Sequence, residues 1–537
     1  MPEAKRVDVV VVGAGFSGLY MLHRVRGLGL STVVVEAGSG VGGTWYWNRY
    51  PGARVDVESH EYSYSFSEEL EREWQWSERY APQPELLAYL NHIADRFDLR
   101  RDIHFDTRVT EARFDEAAKL WRVVTDRGDK LDARFCVMAT GCLNAPKTPD
   151  IRGAGDFRGE TYSTSTWPKE GVDFTGKRVG VIGTGSSAVQ SIPIIASQAR
   201  RLYVFQRTPC FSVPAHNGPV DPEVRRDWQA DIKGNRQAQR ESGYGFAARN
   251  PPTISALEAS PDQLEQAYEE RWQQGGLGLG GAFTDIVLNK AANDTAVEFV
   301  AGKIRSIVKD PEIAEKLIPR TYPLATKRMC VDTDYYATFN RPNVTLVDIS
   351  EAPIEAIKRD GIRAAGQDYE IDALVYALGF DAMTGALDRI DIRGRGGARL
   401  KDKWAEGPKT YLGLMSAGFP NLFLVTGPGS PSVLSNMVVS IEQHVDWITD
   451  CIGHLRERQA DTIEAVEDAE VAWVAHVNEV ASMTLFPQAK SWYMGANVPG
   501  KPRIFMPYVG GVGAYRQKCD EVAAKGYEGF AVTPAGR

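Results

Sequence analysis

Residues 8–36 read DVVVVGAGFSGLYMLHRVRGLGLSTVVVE, and the fold follows from this stretch. Asp8–Val12 is an unbroken apolar run after its first residue, the pattern of a strand buried on both faces. Gly13-Ala14-Gly15-Phe16-Ser17-Gly18 follows as G-x-G-x-x-G, and Leu19–Leu28 reads as a helix. A second strand, Thr32–Val35, ends in Glu36, an acid 23 residues after the first glycine. In such a βαβ unit the glycines let backbone approach a pyrophosphate. The helix start offers it free N–H groups, and the acid accepts a ribose hydroxyl. Gly13, Gly15, Ser17, Gly18 and Glu36 are therefore candidate cofactor contacts, and an acid at the ribose position selects FAD or NAD.

Further along the chain the unit recurs with one change of sign. The strand Arg178–Ile182 leads into Gly183-Thr184-Gly185-Ser186-Ser187-Ala188, a helix runs to about Ala199, and the strand Leu202–Phe205 ends in Gln206-Arg207-Thr208. Arg207 lies 24 residues after Gly183, where a cation suits a 2′-phosphate and hence NADP. Gly183, Thr184, Gly185, Ser186, Ser187, Gln190, Arg207 and Thr208 are the candidate contacts of this second loop. A third match, Gly276-Leu277-Gly278-Leu279-Gly280-Gly281, follows a helical stretch, Asp262–Gln274, and no strand. Without a strand to aim it, it is read as a flexible loop and not as a nucleotide site.

A free-ribose dinucleotide and NADP on one chain imply electron flow from NADPH to bound FAD. Composition limits where the electrons go next. The 537 residues carry 62 Lys+Arg against 70 Asp+Glu, a net −8, which argues against a nucleic-acid binder. No run of 18 apolar residues is present to span a membrane, and the start has no secretory pattern. A soluble, cytoplasmic, monomeric protein is expected. The six cysteines are scattered, Cys136 and Cys142 do not form C-x-x-C, and no metal site is expected. The turn after Gly42-Gly43 reads Thr44-Trp45-Tyr46-Trp47, without a thiol. A disulfide outlet is missing, which leaves oxygen, or a diffusible electron carrier, as the acceptor, with oxygen favoured. Two apolar strands with small-residue ends, Cys136–Gly141 and Leu374–Gly379, read as returns of the chain to the dinucleotide sheets.

At this point the chain resembles the flavin-dependent Baeyer–Villiger monooxygenases, and the phenylacetone and steroid branch more than the cyclohexanone branch. The likeness spans nearly the whole chain. It is carried by Gly13–Gly18, GGTWYWNRYPGARVD (42–56), FRGETYSTSTWP (157–168), FQRTP (205–209), TKR (326–328), GPGSPSVLSNM (427–437) and SWYMGANVPGKP (491–502). The family fingerprint F-x-G-x-x-x-H-x-x-x-W-P/D is met by Phe157, Gly159, Trp167 and Pro168, with Ser163 at the histidine position. A serine there loses a titrating group and makes only short-range hydrogen bonds. Leu378 stands where close relatives have a threonine.

The resemblance implies an enzyme that uses NADPH, FAD and O2 to convert ketones to esters or lactones through a C4a-peroxyflavin, with sulfoxidation as a side activity; the alternatives are a flavin monooxygenase that oxygenates nitrogen or sulfur, and a poorly coupled FAD/NADPH oxidase or redox-responsive binding protein. Aromatic, bulky or steroid-like ketones are the implied substrates. It implies Arg328 as the catalytic arginine, with Asp56 beside it holding the guanidinium in place. Around FAD it implies Thr44, Trp45, Trp47, Asp56, Tyr62, Val109 and Met437. For NADP it adds Lys327 and Trp492, and for the substrate pocket Ser432, Val433 and Leu434. From the residues alone, Asp56 reads as a loop acid paired with Arg54, and Trp45–Trp47 as core filling.

The expected fold class is α/β, with two interleaved Rossmann-like domains and a helical insertion. FAD-binding parts are expected at 1–142 and 375–537, NADP-binding parts at 150–215 and 325–374, and the insertion at 216–324. Ser260-Pro261-Asp262-Gln263 predicts a helix start with a capping box. The charged stretch 220–245 reads as solvated helix surface.

Overall fold

A computed structural model describes residues 4–247 and 251–534. Its larger sheet has eight strands. In order these are Asp391–Arg393, Val109–Asp115, Leu120–Thr125, Lys130–Met138, Lys5–Val12, Thr32–Val35 and Ile103–His104, with Leu422–Leu424 added to Lys130–Met138. Lys5–Val12 pairs in parallel with both Thr32–Val35 and Lys130–Met138. The unbroken valines of the first strand have a simple cause. Val9 and Val11 face one core with Leu19, Leu22 and Val25 of the helix Phe16–Gly27. Val10 and Val12 face the opposite core with Phe114 and Trp121. A strand covered on both faces has no reason to alternate.

The smaller sheet repeats this plan with five strands, all parallel: Val344–Asp348, Arg201–Gln206, Arg178–Ile182, Ala373–Tyr376 and Glu160–Ser163. One face packs on the helix Ser186–Gln198 through Val179, Val181, Ala188 and Ile192. The other face packs Ile182 and Leu374 on Ile357 and Ile362 of a three-stranded antiparallel sheet. The strand Ala373–Tyr376 crosses 374/375, the point at which the sequence reading divides the two domains. Chain passes between the sheets at 142–147 and again at 379–383. The passes run side by side, with Asp381 N–H donating to Ala145 O at 2.8 Å and Met383 N–H to Cys142 O at 3.0 Å.

Between residues 216 and 324 the described residues form helices and no strand. Each of the five α-helices there begins on a side chain that accepts from its own first turn: Asp221, Asp231, Ser260, Asn289 and Asp310. The capping box at Ser260 and Gln263 is present as expected. Two expectations need correction. Gly276–Gly281 is an ordered 3₁₀ turn and not a loose loop. The 220–245 stretch is not all solvated: Arg236 and Glu71 pair at 2.8 Å with side chains only 4% exposed. The guanidinium is accommodated there because His60 O and Ser63 Oγ also accept from it.

Candidate active site

The two loop helices differ from those of the insertion in one respect. Phe16–Gly27 starts on Gly15 and Ser186–Gln198 starts on Gly185, with no side-chain cap and no acid in either first turn. Their leading N–H groups and positive dipole ends are open to an anion, which fits a pyrophosphate at each.

Around the first loop the backbone is tight. Gly13 has φ +105, and a Cβ there would lie 2.6 Å from Ala139 O. A Cβ on Gly18 would lie 1.8 Å from Gly13 O, and one on Gly15 3.2 Å from Gly43 Cα. Glu36 is 5% exposed. Its carboxylate accepts from Ala14 N–H and Gly38 N–H, both at 2.7 Å. Burial raises its pKa, and those N–H groups and Arg108 oppose the shift. Each oxygen keeps a further lone pair for a ribose hydroxyl. Ser17 is buried in the helix, and Thr44, Trp45 and Trp47 form the next helical turn, Thr44–Trp47. Val109 lies apart: its side chain sits in the core with Val33, Val35 and Trp121.

The second loop is more open. Gly183 has φ +113 and meets Ala377 O, but a Cβ on Gly185 would meet nothing within 4 Å. Thr184 Oγ1 donates to Thr208 O at 2.8 Å, fixing the loop against the chain that carries Arg207, which is exposed. Lys327 lies over the Tyr322 ring at 4.1 Å. Burial lowers its pKa, and Arg207 lowers it further. The two cations thus stand close enough to repel, as expected of a site for a phosphate dianion. Gln190 joins the loops: Tyr50 Oη donates to its Oε1 at 2.9 Å, and its Nε2 donates to Arg54 O at 3.2 Å.

Between the loops, Arg328 and Asp56 meet in a fork. Nε donates to Asp56 Oδ2 at 2.8 Å and the Nη2 group to Oδ1 at 2.7 Å. Nη1 donates to Val433 O at 3.2 Å. Burial alone would lower the basicity of Arg328, but the adjacent Asp56 carboxylate outweighs it and holds the pKa above the ordinary value. Arg54 pairs instead with Glu78 at 2.9 Å, so the Arg54–Asp56 pair read from the sequence is not formed. Ser432–Leu434 is a 3₁₀ turn, and Ser432 Oγ lies 3.6 Å from Cys142 Sγ. Val433, Leu434, Met437 and Trp492 share one apolar cluster with Tyr493.

Tyr493 is a residue the sequence reading passed over. It is 1% exposed and lies beside Trp492, with ring centroids 4.2 Å apart and the planes tilted by 53°. Burial pushes its phenol up to about 12, and the neighbouring Arg328 guanidinium opposes this. Its signal was its place in SWYMGANVPGKP. Spacing also hid Cys210 and Cys330, which the fold brings into thiol–thiol contact, with Cys330 Sγ 3.5 Å from Ser186 Oγ. The Ser163 side chain, at the fingerprint position, meets only Ser165, with Oγ 2.9 Å from Ser165 Oγ and accepting from Ser165 N–H at 3.4 Å. The neighbouring Thr164 Oγ1 makes the contact with the loop helix, 3.0 Å from Ser187 Oγ. Leu378 packs on the core cluster of the smaller sheet. Among the described residues no group of three or more His, Cys, Asp or Glu is placed to hold a metal ion, and no helix is long and apolar enough to cross a membrane.

Comparison with known proteins places these features. The family model described as pyridine nucleotide-disulphide oxidoreductase matches residues 10–230, a span that contains both loops. A Baeyer-Villiger monooxygenase of Pseudooceanicola batsensis is 44% identical over 526 residues, covering 97% of this chain and 95% of the relative. A phenazine N-monooxygenase of Lysobacter antibioticus is 42% identical over 531 residues, covering 97% and 96%. A solved structure of oxidized steroid monooxygenase bound to NADP superposes with a TM-score of 0.95 at 53% identity, covering 99% of this chain and 100% of that one.

Proposed function

The chain belongs to the Baeyer–Villiger monooxygenase family, an NADPH-dependent flavoprotein converting ketones to esters or lactones, and we propose that its ketones are bulky, aromatic or steroid-like. The observation that carries the reading is the Asp56–Arg328 fork, with Nη1 of the same guanidinium donating to Val433 O. Support for the substrate class comes from the 53% identity to a steroid monooxygenase structure.

FAD, when bound and reduced by NADPH, would supply the chemistry that activates O2. The chain's own residues do the rest. Arg328 presents a permanent positive charge where negative charge develops on oxygen during attack and rearrangement. Asp56 fixes the plane of that guanidinium through two parallel charge-assisted bonds and keeps it protonated. Val433 O takes a third N–H, so the side chain has one orientation when substrate arrives. Gly13, Gly15, Ser17, Gly18, Glu36, Thr44, Trp45, Trp47, Tyr62, Val109 and Met437 are assigned to FAD. Gly183–Ser187, Gln190, Arg207, Thr208, Lys327 and Trp492 are assigned to NADP(H). Ser432, Val433 and Leu434 shape the ketone pocket. The FAD parts run over 1–142 and 377–537, once Ala373–Tyr376 is assigned to the NADP part.

Arg328→Ala tests the reading. FAD should be retained and reduced by NADPH, while ester formation falls by on the order of 10²–10³. Unchanged ester formation would remove Arg328 from the chemistry. A second reading, oxygenation of nitrogen or sulfur as main or side activity, is favoured by the phenazine N-monooxygenase among the relatives. A soft nucleophile takes an electrophilic oxygen without needing an oxyanion site. Mass-spectrometric screening of ketones, thioethers and heteroaromatic amines, with peroxide recorded in parallel, separates the readings. Sulfoxide or N-oxide that survives in Arg328→Ala, with ester lost, would support both activities in one site.

A further inference from the structure

The ketone-pocket turn hangs from a strained stretch of backbone. Thr426, two residues past the strand Leu422–Leu424, has φ +56, and Ser432 has φ +40. A β-branched residue at positive φ is an outlier that persists only where its surroundings hold it. Thr426 O accepts from Ser432 Oγ at 3.3 Å, and the next residue along, Val433, accepts at its carbonyl from Arg328 Nη1 at 3.2 Å. Two side chains grip the loop between them at carbonyls. Thr410 Oγ1 donates to Pro428 O at 2.6 Å and Trp473 Nε1 to Gly429 O at 3.0 Å. Thr426 is gripped instead at its N–H, which donates to His444 Nδ1 at 2.9 Å.

The bonds around His444 leave its ring one arrangement of protons. The residue lies on the helix Met437–Glu457 and is fully buried. A backbone N–H can only donate, so Nδ1 accepts and carries no proton. The ring proton is then on Nε2, which lies 2.9 Å from Tyr515 Oη. That phenol donates its own proton to Leu412 O, which leaves its lone pairs for the imidazole N–H. Leu412, like Thr426, has positive φ, at +58. Burial depresses the imidazole pKa to about 3, so the ring stays neutral and keeps its acceptor. A leucine would fill this space with no polar group to bury. What the histidine adds is an acceptor of fixed direction at a strained residue.

We propose that His444 is a positioning residue for ketone attack: its Nδ1 fixes Thr426, Thr426 fixes Ser432, and the Ser432–Leu434 turn then presents Val433 O to Arg328. This rests on the assignment of Arg328 to the chemistry and of Ser432–Leu434 to the ketone pocket. His444 acts through the turn and not on the ketone itself. Without its acceptor, the Thr426 N–H is buried with no partner, and the backbone that carries the turn loses a restraint. The guanidinium then keeps its Asp56 fork while its third bond is no longer held in place. Charge remains at the site in a less defined orientation, which costs rate in the oxygen-transfer step. Reduction of flavin by NADPH does not pass through this chain of bonds.

The test compares His444→Asn with His444→Leu in the FAD-loaded enzyme. Ester, peroxide and NADPH are measured together, and flavin reduction is followed without oxygen. The asparagine Oδ1 stands where Nδ1 does and keeps the bond to Thr426 N–H, while leucine keeps the packing and loses the bond. His444→Leu should lower kcat for ester about 10- to 100-fold and divert NADPH to peroxide, with flavin reduction within about 2-fold of the parent. His444→Asn should recover ester formation to within about 3-fold of the parent. A core-filling role gives the reverse order, because leucine suits a buried site better than asparagine. An ester-to-NADPH ratio unchanged in His444→Leu, or no higher in His444→Asn than in His444→Leu, would overturn the proposal. If His444→Leu does not load FAD, Tyr515→Phe, which frees the ring to turn, should lower the same ratio about 3-fold. An unchanged ratio there would overturn the proposal equally. Arg328→Ala separates this from failure of the underlying reading. Ester retained there would remove Arg328 from the chemistry, whereas ester lost there and untouched in His444→Leu would strike the positioning role alone.

Discussion

The first and second phosphate loops share a strand, an uncapped helix and a leading glycine at positive φ, yet they are built for different tenancies. In the first, the second glycine lies under Gly43 and the acid is folded into the loop by two backbone N–H groups. In the second, Gly185 stands clear of other atoms and Arg207 projects into solvent. A reader sealed into its loop suits a group that stays, and a reader on the surface suits one that comes and goes. On the proposed assignment of FAD to the first loop and NADP(H) to the second, one backbone motif serves both tenancies, and the difference lies in what covers it.

The contrast can be broken most sharply at the paired glycines. Gly15→Ala forces a Cβ against Gly43 Cα, so the purified protein should lack flavin absorbance and all activity. Gly185→Ala should leave flavin content unchanged and raise only the Michaelis constant for NADPH. Next in size, Arg207→Ala should raise the NADPH Michaelis constant about 10-fold with little change for NADH, the loss of about one charge-assisted contact. A smaller effect is expected at the join between the sheets. Ser163→His adds a side chain long enough to reach beyond Ser165, and the ratio of ester formed to NADPH consumed should rise up to a few-fold. An unchanged ratio would mean that the Thr164–Ser187 contact already serves that purpose.

The last effect concerns stability near the second loop. Asp332 is buried, and burial pushes its pKa up from 3.8 to about 6, against bonds from Ser212 Oγ and Tyr335 N–H. Because the folded pKa is raised, the folded state binds the extra proton between these values, and stability falls as pH rises through that window. Asp332→Asn should therefore have no benefit below pH 4 and stabilise by about 3 kcal/mol at pH 7, read as the difference in urea unfolding between the two pH values.

Much of this architecture was legible because it is local. Strand, loop, helix and charge reader all fall within about thirty residues at each loop, and each is set by backbone sterics and periodicity. The capping box at Ser260 is likewise a four-residue matter. What escaped the sequence depends on contacts between distant segments. Asp56 turned from Arg54 to Arg328, 272 residues away, and Arg236 found Glu71 across 165. Tyr493 gained its place only when 142–147, 379–383 and 491–502 met. No spacing rule links residues that approach through tertiary packing alone.

The order of strands in the two sheets carries a consequence for the growing chain. All five strands of the smaller sheet lie between residues 160 and 376. The larger sheet begins at Lys5 yet waits for Asp391–Arg393 and Leu422–Leu424. During synthesis the unit that starts second can close first, while the Cys136–Met138 end of the strand Lys130–Met138 still waits for Leu422–Leu424. The flavin site is then the last to mature, and the nascent protein passes through a stage in which it is able to bind its reductant before it has anything to reduce.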